Sequence, residues 1–465
     1  MYGRKRVGPS SHLVYHRAVP DPMTLAGLIV GAALAGGLAL SYLRKSAQRK
    51  RHERVNARSE KLGHAEPVSL HPTIDEHACI CTGACITVCP EKDVLGMIDG
   101  KPKLIKPSAC IGHGECMRAC PVDAISLIIG SEKRGVELPL LGSDFQTNVR
   151  GVYIAGELGG MGLIHNAVNQ GAQAMRAIAA SLKDGAAGKS AELLDVVVVG
   201  AGPAGLSAAL EAKRLGLRAS VVEQEQLGGA LRSFPRQKVV MTAPCELPLY
   251  GKVKLRRTTK ESLLELWEEV VRKTELTIET PVKVNGITVD PAGGFSVDTS
   301  AGTKRTQKVL LAIGRRGTPR KLGIPGEQLE KVTYKCIEPD QYRGTRCLVV
   351  GGGDSAVETA LLLSREPGTV VTLAHRGDAF DRVKPDNYDA LEKAQIASKL
   401  DVRLGAAPTE IAAGHVVLRG KRGTERLAND WVFVCIGGEL PTVWLGKIGV
   451  EVKTLHGEAH PAMQA

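Results

Sequence analysis

Cysteine is almost absent from most of this chain of 465 residues. Of its eleven cysteines, seven fall between Cys79 and Cys120, and only Cys245, Cys336, Cys347 and Cys435 are dispersed over the rest. So uneven a set excludes a disulfide framework and points to a reducing compartment and metal ligation. Acidic residues are scarce only at the start. Residues 1–60 hold 11 Lys/Arg against 3 Asp/Glu, which is +8 of the formal charge of +12, so the remainder is close to balanced and no nucleic-acid partner is expected. Charge of either sign is missing altogether from the 21 residues Met23 to Leu43, MTLAGLIVGAALAGGLALSYL. As a helix this run is about 31 Å long at 1.5 Å per residue, enough to cross a bilayer.

The apolar run reads as a single membrane-spanning helix over 23–43, preceded by a tail over 1–22. Arg44, Lys45, Arg49, Lys50, Arg51, Arg54 and Arg58 follow it, against four basic residues before it, so the positive-inside bias puts the long C-terminal part in the cytoplasm. A cleaved signal peptide is the competing reading, but the run is long and meets Arg-Lys instead of a small-residue cleavage site. Met23 is an alternative start. Gly27 and Gly31 have the spacing that packs two helices, which would suit a homodimer. Residues 44–70 carry charge without an apolar repeat and read as a basic tether, helical at first, held close to the anionic inner leaflet.

Beyond the tether the chain repeats itself. CICTGACITVCP (Cys79 to Pro90) and CIGHGECMRACP (Cys110 to Pro121) superpose at an offset of 31 residues, matching at Cys79/Cys110, Gly83/Gly114, Cys85/Cys116, Cys89/Cys120 and Pro90/Pro121. This stretch, over about 71–133, resembles a two-cluster bacterial ferredoxin, whose run is C-x2-C-x2-C-x3-C-P. The resemblance implies crosswise ligation of two iron–sulfur clusters, 4Fe-4S in type: Cys79, Cys85 and Cys120 hold one, and Cys110, Cys116 and Cys89 the other. The second position is Thr82 in one copy, with Cys81 beside it, and His113 in the other, so the fourth ligands stay open between Cys81, His113 and none. A three-iron or empty site remains an alternative, as does a zinc pair, although zinc favours separated C-x2-C pairs.

Two nucleotide fingerprints follow. In DVVVVGAGPAGLSAALEAKRLGLRASVVE a buried strand, Asp195–Val199, runs into Gly200, Gly202, Pro203, Ala204 and Gly205 and then a helix, with Glu223 closing the next strand. The glycines admit a pyrophosphate, the helix N-terminus stabilises its charge, and the acid takes a ribose hydroxyl. In CLVVGGGDSAVETALLLSREPGTVVTLAHRGDAFDR the corresponding positions are Gly351, Gly353, Asp354, Ser355 and Ala356, but His375 and Arg376, with Arg382 nearby, stand where the first copy has its acid. Arginine there suits a 2′-phosphate and favours NADPH over NADH.

These fingerprints, with VLLAIGRRGTPRKLGIPGE (Val309 to Glu327), resemble the thioredoxin reductase-like flavoproteins over about 300 residues. The resemblance implies an α/β fold of two Rossmann-like domains, FAD in the first site and NAD(P)H in the second, beside an α+β ferredoxin domain. Gly377 stands where family members often carry a second arginine. The family's closing FAD motif is not found after the second fingerprint; TNVRGVYIAGELGGMGLIHNAVNQGAQAMRAI (Thr147 to Ile178) matches it upstream, with Gly156 and Glu157 at the flavin and the following helix aimed at the isoalloxazine. We read a circular permutation, with Lys183–Glu192 as the joint. The C-x-x-C dithiol expected before the second fingerprint is also lacking, leaving Cys336 alone; Cys245, Cys347 and Cys435 read as packing residues.

The expected organisation is therefore 71–133 ferredoxin-like, 134–183 permuted FAD segment, 190–328 FAD domain, 329–430 NAD(P)H domain and 431–465 a return to the FAD domain. The expected function is electron transfer between NAD(P)H, FAD, the clusters and a protein electron donor or acceptor at the cell membrane. A disulfide reductase using Cys336, and a non-catalytic redox sensor or scaffold, are the alternatives. The Asp195–Val199 and Asp430–Ile436 strands are the expected neighbours of Thr147–Ile178, since a lone strand and helix cannot bury their own apolar faces.

Overall fold

The computed structural model describes residues 22–67, 70–133, 135–160, 162–183, 193–315, 317, 319–421 and 423–459. The N-terminal tail up to residue 21 and most of the expected permutation joint lie outside the described residues. By contacts the chain divides after Arg54 into an N-terminal unit and a large second unit.

The N-terminal unit is the first part of one helix, Pro22–Lys61. Its described side chains from Leu25 to Leu43 are all exposed, and the helix is apolar enough over an 18-residue window to cross a membrane, with a mean hydropathy of 1.8. The remainder of the helix belongs to the second unit and ends at Lys61; two residues on, Gly63, whose φ is +70°, lets the chain turn back so that the His64 N–H reaches the Ser59 carbonyl. Residues 44–61 thus continue the helix without a break, so the helical start expected for the basic tether extends to Lys61.

In the second unit the duplicated region forms two short helices, Ala84–Val88 and Glu115–Arg118, and a hairpin, Leu95–Ile98 with Lys101–Leu104, turned at Asp99 and Gly100. Both turn residues have positive φ, as a tight hairpin requires. Strand His71–Ile74 lies antiparallel to Ile125–Ile129, and the far edge of that strand is covered by Glu458–Ala459 from the other end of the chain.

The first fingerprint sits in a six-stranded sheet. Leu194–Val199, apolar on both faces as a fully covered parallel strand must be, lies between Ala219–Val222 and Gly302–Leu311. The long strand Gly302–Leu311 continues into a meander with Phe295–Thr299, while its last three residues pair in parallel with Val152–Ile154. The VYI of Gly151–Ile154 is thus an integral strand of this sheet, although 40 residues separate it from the fingerprint strand by sequence order. The helix Ile164–Lys183 then packs its buried face, Ala167, Ala174, Met175 and Ile178, on Ala204, Ala208 and Ala212 of the fingerprint helix Pro203–Arg214.

The second fingerprint lies in a separate, wholly parallel sheet ordered Val332–Thr333, Trp431–Val434, Arg346–Val350, Val370–His375 and Asp401–Leu404. Two expectations are corrected here. The strand around 430–436 belongs to this sheet, paired with Arg346–Val350, and not beside Val152–Ile154. The return to the FAD-side core begins only with the helix Thr442–Lys447, where Leu445 and Val450 join Val152, Ile154 and Val197. Both runs are apolar enough for either sheet; register with non-local partners decides between them.

Candidate functional site

The duplicated cysteines stand around two cavities, and the sorting is crosswise. Cys79, Cys81, Cys85 and Cys120 line one, together with Thr82, Pro102 and Ile125. Cys89, Cys110, His113 and Cys116 line the other, with Glu91, Leu95 and Leu127. Each cavity therefore draws three residues from one repeat and the last cysteine of the other. Among the described residues no three His, Cys, Asp or Glu side chains converge on one point as a single ion requires; the thiols ring a hollow instead.

Each hollow mixes buried and half-buried thiols, with Cys85 buried in the first and Cys89 half-buried in the second. Cys110 and Cys116 are buried, and burial pushes their thiols up to about 12 and about 11. A thiolate in such a place needs a cationic centre beside it, which the iron of a cluster supplies. Burial also lowers the pKa of His113 and keeps its imidazole neutral, the form that ligates metals. Around the other hollow Cys79, Cys81 and Cys120 are half-buried, and Ile80 on its rim is 61% exposed.

Cys81 carries a signature the sequence did not reveal. Its φ is +58°, and the residue at the same place in the second repeat, Gly112, has φ +74°. The duplicated turn demands a left-handed residue there; glycine adopts it freely, whereas a side chain with a Cβ pays about 1–2 kcal/mol.

At the first fingerprint the backbone crowds together as close strand–helix contact requires. A Cβ on Gly205 would lie 1.8 Å from the Gly200 carbonyl oxygen, while at Gly202 and Gly353 the same direction is open. Pro203 and Ala204 begin the helix, and the buried Glu223 carboxylate accepts hydrogen bonds from the Ala201 N–H (2.8 Å) and the Glu225 N–H (2.9 Å), which sets it beside the glycine turn. The upstream segment meets this turn directly: Gly156 faces Ala204, Gly171 has no room for a Cβ against the Ala204 carbonyl, and the Gly156 N–H donates to Gln170 Oε1 at 2.9 Å. Glu157 is exposed at the start of a short turn next to Gly156 whose following residues, Leu158 and Gly159, are buried.

Two residues here escaped sequence reasoning. Arg315 donates to the Glu137 carbonyl and lies within the field of the Glu157 carboxylate; burial lowers its pKa, and those carboxylates oppose the shift. Its only sequence signal is the RR after AIG. His165, in the first turn of Ile164–Lys183, is 7% exposed and its Nδ1 has no hydrogen-bond partner among the described residues. Burial lowers its pKa, assisted by the charges of His113 and Arg118, so the first turn of this helix lies within electrostatic range of the second repeat. Nothing local in the sequence could have shown that, since the two lie some fifty residues apart.

At the second fingerprint Gly351, Gly353 and the fully buried Ala356 form the turn, and Arg382 pairs its backbone with Gly353. Asp354 uses Oδ1 to accept from the Lys384 N–H and Asn387 Nδ2, so it holds the loop that carries Arg382. Ser355 and Arg376 are exposed. His375 turns inward: its ring lies over Gly352 and stacks on Phe380, with centroids 5.2 Å apart, so it acts as a wall while Arg376 faces out. Cys336, by contrast, is buried, and burial pushes its thiol up to about 12, an environment that disfavours the thiolate. Cys347 is likewise in the core, and Cys435 packs against it.

Residues 197–461 match the family model for pyridine nucleotide-disulphide oxidoreductases, and residues 71–121 match a 4Fe-4S dicluster domain. The ferredoxin–NADP reductase of Ignicoccus hospitalis is 33% identical over 269 residues, 56% of this chain and 82% of that protein. The bacilliredoxin reductase Bdr of Bacillus subtilis is 29% identical over 262 residues, 55% of this chain and 80% of that protein. Among solved structures, the bacillithiol disulfide reductase of Bacillus cereus aligns with a TM-score of 0.50 at 24% identity, covering 56% of this chain and 82% of that one, a likeness of fold. Taken with the two fingerprints and the cysteine hollows, these matches assign the chain to the pyridine nucleotide-disulphide oxidoreductase family, as an FAD-dependent NAD(P)H oxidoreductase that carries a 4Fe-4S ferredoxin domain.

Proposed function

We propose that this protein is a membrane-anchored reductase that exchanges electrons between NADPH and a one-electron partner protein through FAD and two 4Fe-4S clusters. The observation that carries the reading is the crosswise sorting of cysteines around two hollows. Cys79, Cys81, Cys85 and Cys120 are the ligands of one cluster in this reading; Cys110, His113, Cys116 and Cys89 are those of the other. Gly200, Gly202, Gly205 and Glu223 hold the ADP half of FAD, and the permuted segment brings Gly156 and Glu157 to its flavin half. Gly351, Gly353, Arg376 and Arg382 hold NADPH, with the arginines taking the 2′-phosphate. FAD accepts a hydride as two electrons and releases them singly, which is what one-electron clusters require. The chain's own contribution is to hold these sites within one compact unit and to bury Cys85, Cys110 and Cys116 away from water.

The helix Pro22–Lys61 would fix the enzyme to the cytoplasmic face of the membrane, within reach of a partner there. Anaerobic purification at full iron supply tests the whole reading. About eight irons per FAD, and paramagnetic resonance signals from two clusters on reduction with NADPH, are expected. Absence of any such signal after dithionite removes the electron-transfer reading.

A further inference from the structure

The nucleotide-reading loop is gripped from outside by parts of the chain that the flavoprotein fold does not include. The end of the first helix lies against it: Arg58 Nη2 pairs with Asp389 Oδ1 at 2.5 Å. Past the turn at Gly63, His64 is 1% exposed; its Nε2–H donates to the Phe380 carbonyl at 3.1 Å, and its ring meets Tyr388 edge-on with centroids 5.5 Å apart. From the ferredoxin domain, Lys106 Nζ reaches Asp386 Oδ1 at 3.2 Å.

Those contacts fall on one short stretch, Phe380 to Asp389, whose inner side is the candidate nucleotide site. Phe380 stacks on His375, Arg382 pairs with Gly353, and the Lys384 N–H is held by Asp354. Arg382 lies within this stretch and Arg376 just before it, on the same loop after the strand Val370–His375. It has few apolar residues of its own to fix it; Phe380 and Val383 are the buried ones. The contacts are not equal in weight. The Arg58 and Lys106 pairs involve exposed partners, and solvent-exposed ion pairs are worth at most about 1 kcal/mol each. The His64 hydrogen bond is buried, so removing its donor strands a carbonyl away from water.

We propose that His64, supported by Arg58 and Lys106, is a positioning residue that clamps the loop 376–384 so that Arg376 and Arg382 are set for the 2′-phosphate before NADPH arrives. The proposal rests on the reading of Gly351–Arg382 as the pyridine nucleotide site. Preorganisation of this kind lowers the ordering cost that a mobile loop would add to binding. It also makes the segment after the membrane helix part of the nucleotide site, so anchoring and cofactor choice are served by one stretch of chain.

The test uses the full-length holoprotein and calorimetric titration with NADP+ and with NAD+. His64→Ala should weaken NADP+ binding by about fivefold, the equivalent of one neutral hydrogen bond, with a smaller loss for NAD+ and with flavin and iron contents unchanged. His64→Gln keeps a donor in reach of the Phe380 carbonyl and should restore affinity to within about twofold. A purely structural role would lower thermal stability and leave the NADP+ to NAD+ ratio alone. Unchanged affinity for both nucleotides in His64→Ala overturns the clamp. If the wild-type protein itself prefers NAD+, the NADPH reading fails, and the clamp then stands or falls on whether His64→Ala weakens NAD+. Should His64→Ala not fold, Arg58→Ala combined with Lys106→Ala asks the same question: a drop of about twofold supports the clamp, and wild-type affinity overturns it.

Discussion

Cys81 shows what a single residue can disclose once the backbone around it is known. Position 81 and position 112 occupy the same left-handed turn in the two repeats, and only the first fills it with a side chain. A strained residue persists where something compensates for it, and a metal–thiolate bond is ample compensation. Cys81→Gly should therefore leave the apoprotein about as stable as before, because relief of the turn offsets the greater freedom of an unfolded glycine. It should at the same time change the resonance signal of one cluster and lower its iron count. Two unaltered signals would show that Cys81 is not a ligand.

Asp430 makes a different kind of statement at the same scale. Its carboxylate accepts from Arg346 Nε at 2.9 Å, Arg346 Nη2 at 2.6 Å and the Arg346 N–H at 2.8 Å, which lowers its pKa from 3.8 to about 2. A depressed folded-state value means stability that is present above the unfolded value and is lost as pH falls from 3.8 to about 2. Asp430→Asn should thus lower the urea midpoint at pH 7 by the equivalent of about 1 kcal/mol, since the pair is partly solvated. That deficit should close at pH 2; a deficit constant across the range would mean that packing, not charge, is responsible.

Among elements, the helix Ile164–Lys183 and its strand Val152–Ile154 were foreseen as part of the flavin sheet, but their partner was misjudged. The strand motif was legible because VYIAGE combines an apolar run with the glycine a cofactor needs. Its neighbour Gly302–Leu311 was not, because choosing between three apolar strands depends on which register buries Tyr153 and Ile154 together, and that is settled only in three dimensions. The helix crossing gives a test. Gly171→Val would drive a side chain into the Ala204 carbonyl, and overpacking of this kind costs about 1–3 kcal/mol. Because Ala204 belongs to the fingerprint turn, FAD retention on gel filtration should fall more than the melting temperature does. Gly446→Ala, at a helical glycine with open space around it, should leave both unchanged.

At the level of the whole molecule, the ferredoxin cysteines and both fingerprints could be read from local spacing, since duplication and glycine turns fix their own register. What could not be read is how the modules are sewn together. Val452–Leu455 pairs with Val136–Pro139, and Glu458–Ala459 completes the sheet of Ile125–Ile129. Neither late strand has a strong pattern of its own, and each is defined by the edge it covers. A chain stopped after Val450 should keep its flavin, whose sheet is intact, yet release iron to a chelator several-fold faster than the full chain. Equal release rates would mean that these strands do not support the cysteine hollows.

That last strand also sets an order of events during synthesis. The sheet begun by residues 71–129 is closed by residues 458–459, so residues 130–457 must leave the ribosome before the iron–sulfur unit has its full edge. The apolar helix at the other end has emerged long before. The sheet around the first fingerprint, whose strands all lie within residues 152–311, can therefore be complete while the antiparallel sheet beside the cysteine hollows still lacks its edge.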